Sequence, residues 1–80
     1  MGLAEELGDK LAIDVLKVVE KLGDDQLIAE VAKVLAASST PTEEAFMSAI
    51  RVRQAEARAR AFLREHVKKE LAKQAKKPDA

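Results

Sequence analysis

Apolar residues recur along this chain at the three- and four-residue spacing of α-helices. Leu3, Leu7, Leu11, Val15, Val18 and Leu22 form one stripe at about 100° per residue, flanked by Val19, with Ile13 and Leu16 off it. This spacing predicts a first helix over 3–22. Gly8 weakens it locally but permits close approach of another helix. Gly23 suits the residue just past its end. Asp24 then reads as an N-cap, and a second helix over 25–37 turns Leu27, Ile28, Val31, Val34 and Leu35 inward. Ser38-Ser39 breaks it. Thr40-Pro41-Thr42-Glu43 opens a third helix: Thr40 caps, Pro41 takes the first helical position and Glu43 completes a capping box.

No stop signal follows until the end of that helix at about Lys76, so the expected fold is all-α. A short antiparallel hairpin packs on a long C-terminal helix in one domain, 1–76, with a frayed tail at 77–80. At 1.5 Å per residue the three helices measure about 30, 20 and 50 Å. The third must overhang the other two.

That third helix has two apolar seams. Phe46, Ile50, Ala57 and Ala61 fall together, while Val52, Ala55, Ala59, Phe62, Leu63 and His66 lie nearly opposite. A helix in an isolated three-helix bundle buries one broad face, so the second seam is left for a partner. The plainer account is that alanine favours helix on any surface. Phe62 and Leu63 weigh against it, because leaving them exposed forfeits about 1.5–3 kcal/mol each. The expectation is a homodimer built largely on the third helix, or union with another helical protein, through Arg51, Val52, Ala55, Arg58, Ala59, Phe62, Leu63 and His66.

Charge sharpens this picture. Residues 1–50 carry ten acidic and four basic side chains, a net −6, and residues 51–80 carry four acidic and ten basic, a net +6. Such asymmetry points to a partner, either the other half of the protein or an external anion. Glu56 can serve Arg53 and Arg60, Glu65 can serve Lys68 or Lys69, and Glu70 can serve Lys73. Arg51, Arg58 and Arg64 have no acidic residue three or four positions away.

Three destinations compete for those arginines: the acidic hairpin, an acidic protein segment, or nucleic acid phosphates. The overall neutrality and lack of stacking aromatics count against nucleic acid, which stays the alternative reading.

Catalytic chemistry has little to draw on. The chain has no cysteine, one histidine and no Gly-rich phosphate loop. His66 reads as a packing or boundary residue, and the acidic pairs at helix starts complement the helix dipole. No catalytic, metal or cofactor site is expected. The acidic N-terminus has no signal-peptide pattern, and no apolar run spans a membrane. A cytoplasmic, non-catalytic interaction module, such as a small adaptor, regulator or assembly factor, is the expectation from sequence.

Overall fold

The computed structural model describes residues 2–76, which form α1 (Leu3–Leu22), α2 (Leu27–Ser38) and α3 (Thr40–Lys76). No strand occurs among the described residues. The tail expected to fray at 77–80 lies outside them.

The junctions differ in detail from the expected ones. Gly23 ends α1 at φ 69°, in the left-handed region open to glycine, and its N–H donates to the Val19 carbonyl. Asp24 does not cap α2 with its side chain. Its backbone carbonyl instead accepts from the Leu27 N–H at 3.3 Å, closing a turn that delays the helix to Leu27 rather than residue 25.

Ser39 alone separates α2 from α3, in an extended conformation (φ −156°, ψ 103°). It serves both helices. Its N–H donates to the Leu35 carbonyl at 2.7 Å, and its Oγ accepts from the Thr42 N–H at 3.3 Å. The cap of α3 is therefore Ser39 rather than Thr40, one residue early. Pro41 moves to the second helical position, where a missing N–H still costs nothing.

α3 is the hub. α1 packs mainly on it, α2 less so, and α1 and α2 touch each other least. The core is small: Ala12, Val15, Phe46 and Ile50 are buried, with Leu11, Leu16, Val19, Leu27, Ile28, Val31 and Leu35 packed around them.

The face α1 turns inward overlaps the expected stripe only in part: Val15 is buried and Leu11 and the flanking Val19 pack against the core. Gly8, Ala12 and Val15 are buried, whereas Leu3, Leu7, Val18 and Leu22 are exposed. At about 100° per residue the centre of the buried face lies about 80° around from the centre of the stripe, and Val15 belongs to both. Gly8 explains the rotation. A Cβ there would stand 2.8 Å from the Phe46 backbone N and 2.9 Å from the Ala45 Cβ. Only the small-residue face lets α1 come this close. Val34, expected inside, is likewise exposed on α2.

The whole is elongated. Its Cα radius of gyration is 18.5 Å, against about 12 Å for a compact domain of this length.

Candidate interaction surface

The overhang of α3 carries the candidate surface. Ile50 is its last buried residue, and from Arg51 to Ala75 every side chain is exposed except the partly buried Gln54 and Glu70. Arg53 is the last residue of α3 tied to α1 by an ion pair. Beyond it the helix runs free for about 35 Å at 1.5 Å per residue.

All eight sequence-derived candidates are exposed: Arg51 and Val52 just before Arg53, and Ala55, Arg58, Ala59, Phe62, Leu63 and His66 on the free half. The large apolar ones are exposed far beyond a grazing contact: Val52 67%, Phe62 73% and Leu63 55%. The Phe62 and His66 rings stack at a centroid distance of 6.2 Å and an interplanar angle of 17°. His66 thus lies beside Phe62, which stays largely exposed.

Val67 and Leu71 extend the patch, at 46% and 60% exposure, and sequence reasoning passed them over. A strict helical wheel places them away from Phe62. The signal that finds them is the unbroken four-residue row Ala55, Ala59, Leu63, Val67, Leu71. Rows at this spacing are ridges that pack into grooves of another helix.

Electrostatics divide this half into satisfied and unsatisfied cations. Arg53 is held across the helices: its Nε donates to Asp9 Oδ1 at 2.8 Å and its Nη2 to Asp9 Oδ2 at 2.9 Å. The hydrogen bonds from Arg53 hold the Asp9 carboxyl below the usual carboxylate range, and in return Asp9 raises Arg53. Glu56, expected to serve both Arg53 and Arg60, pairs with Arg60 as expected and not with Arg53. A fork-to-fork bond to α1 outcompetes the looser pair along the helix. Glu65–Lys68 and Glu70–Lys73 form as expected, at 3.8 and 3.6 Å. Among the described residues Arg51, Arg58, Arg64 and Lys69 have no ion pair. Among the described residues the acidic hairpin forms an ion pair with α3 through Asp9 alone.

A groove opens beside the free half, between the N-terminal parts of α1 and α3. Ala4, Ala45, Ala49 and Val52 line it together with Ser48 and the Arg53-bound Asp9, and Glu5 and Glu44 line it without ion-pair partners among the described residues. No group of three or more His, Cys, Asp or Glu among the described residues is arranged to hold a metal ion, and no described helix is long and apolar enough to cross a membrane. No protein-family model, curated protein or solved structure matches this chain.

Proposed function

We propose that this chain is a non-catalytic helical interaction module, of the adaptor, regulator or assembly-factor kind, and that it associates with itself through the free half of α3. One observation carries this reading: Phe62, Leu63, Val67 and Leu71 lie in water on a helix that runs beyond its own core. Burying such side chains contributes about 1.5–3 kcal/mol each. The four-residue core leaves a chain this short in need of that gain.

Sedimentation at tens of micromolar tests it. The expected mass is twice that of the chain, falling to a single chain in Leu63→Asp. A single-chain mass for the wild type at 100 micromolar sinks self-association.

The strip of Arg51, Arg58 and Lys69, all unpaired, supports a second reading as a nucleic acid phosphate contact. Here binding weakens steeply with salt, each phosphate contact adding about 0.7–0.9 to the logarithmic slope. The chain has no Trp or Tyr, so co-purifying nucleic acid would dominate its ultraviolet spectrum. A clean spectrum with a salt-insensitive mass discards this reading.

A further inference from the structure

We infer that the occupant of the groove is the far end of α3 from a second copy, the two α3 helices lying antiparallel about a two-fold axis level with Arg58. This inference rests on the self-association proposed above and names its geometry.

The first support is a size pattern. At 100° per residue Ala45, Ala49, Val52, Ala59, Leu63 and Val67 share a strip about 80° wide with Glu56 and Glu70, and Leu71 lies at its margin. Along this strip small residues come first and large ones last. Ala45 and Ala49 line the groove on α3, and Leu63, Val67 and Leu71 stand on the free half. Reversing one helix against another sets large on small. Ala45 with Leu71 and Ala49 with Val67 are both centred on Arg58, and Val52 with Leu63 on the bond before it. Ala55 and Ala59 flank that level, and they let two helices approach closely. An interface of this kind is isologous and closes as a dimer.

Charge independently selects the same partner and the same direction. The unpaired carboxylates of Glu5 and Glu44 line the groove, while the free half of α3 is cationic. The antiparallel register sets Glu44 level with the turn between Lys69 and Lys73, and Glu56 opposite Arg60 of the second copy. A parallel pair would set the cationic halves side by side and leave both grooves empty. The −6 and +6 halves of the chain thus become complementary surfaces of two copies.

Cysteine cross-linking tests the register, since the chain has no cysteine of its own. Ala49→Cys and Val67→Cys should each remain uncrosslinked alone and link efficiently when mixed, while Ala59→Cys should link to itself. Ala49→Arg and Val67→Glu should each weaken dimerisation tenfold or more. The chain carrying both should recover most of the loss, because the two new charges meet across the interface. Both sites are on the surface or partly exposed, and an unchanged helical circular dichroism spectrum would confirm that the variants fold. A wild-type dimer without the mixed cross-link, or Ala49→Cys linking to itself, overturns the antiparallel arrangement and leaves self-association standing. A wild-type monomer at 100 micromolar overturns both, as does a mass increase that appears only with bound nucleic acid.

Discussion

Gly8→Ala sets two effects of opposite sign against each other. In an unpacked helix the substitution stabilises by about 0.8–1 kcal/mol, because alanine loses less backbone entropy. At this position the new Cβ would lie 2.8 Å from the Phe46 N, 2.9 Å from the Ala45 Cβ and 3.0 Å from the Ala45 carbonyl carbon. Carbon contacts settle at about 3.5–4.0 Å. Two of the three obstructing atoms are backbone and cannot rotate aside, so α1 and α3 must separate by roughly half an ångström or more.

That separation loosens Ala12 and Val15 against Phe46 and Ile50, which are all of the fully buried side chains of the core. Overpacking of this kind costs about 1–3 kcal/mol. A rigid backbone obstruction belongs in the upper part of that range, so a net loss of about 1–2 kcal/mol remains after the propensity gain. In a domain this small it lowers Tm by about 5–10 °C. Urea and thermal unfolding followed by circular dichroism at 222 nm measure it. Protein concentration must be held fixed, because association raises apparent stability. Ala36→Gly, at an exposed site on α2, provides the scale and should cost about 1 kcal/mol. If Gly8→Ala proves as stable as the wild type or more so, close approach at Gly8 is not what orients α1.

Phe46→Ala empties the centre of the core, where Phe46 is fully buried. It should cost about 3–5 kcal/mol, enough to broaden or abolish the cooperative thermal transition. Ser39→Ala removes the hydroxyl that accepts from the Thr42 N–H and should cost about 1 kcal/mol in urea unfolding, whereas Thr40→Ala should cost little. Asp9→Asn tests the clamp on α3. Because folding holds the Asp9 carboxyl below its usual range, its contribution is present above the unfolded value and disappears as pH falls through the folded one. Wild type should therefore exceed Asp9→Asn in stability at neutral pH and converge with it in acid, below about pH 4. A gap that persists unchanged at pH 2 would refute the assignment.

How much of the surface was legible in the sequence differs from residue to residue. Phe62 and Leu63 stand out because they sit nearly opposite Phe46 and Ile50, and no helix of a small bundle buries two opposite faces. Val67 and Leu71 were missed because a wheel groups residues by angle, while a four-residue ridge slants around the helix by about 40° at each step. The bond of Arg53 to Asp9 spans 44 positions. Local spacing offered Glu56 instead, and only the crossing of α1 over α3 shows which carboxylate arrives. The groove escaped notice for the same reason, since its lining combines Ala4 with Ala45 and Ala49.

By itself the sequence determines that this chain is helical, that glycine, serine and proline divide it into three helices, and that the third has apolar residues on opposite sides. Hydrogen bonds within a helix join residues four apart, so this information is local. Tertiary structure alone decides which face of each helix turns inward. The pattern favoured the leucines of α1, because large apolar side chains gain most from burial. The fold chose Gly8, Ala12 and Val15, because the distance between two helices is set by the smallest residues at their crossing. With that choice Leu3, Leu7 and Leu22 are left at the surface, and α3 keeps the groove and the free half that we assign to a second copy.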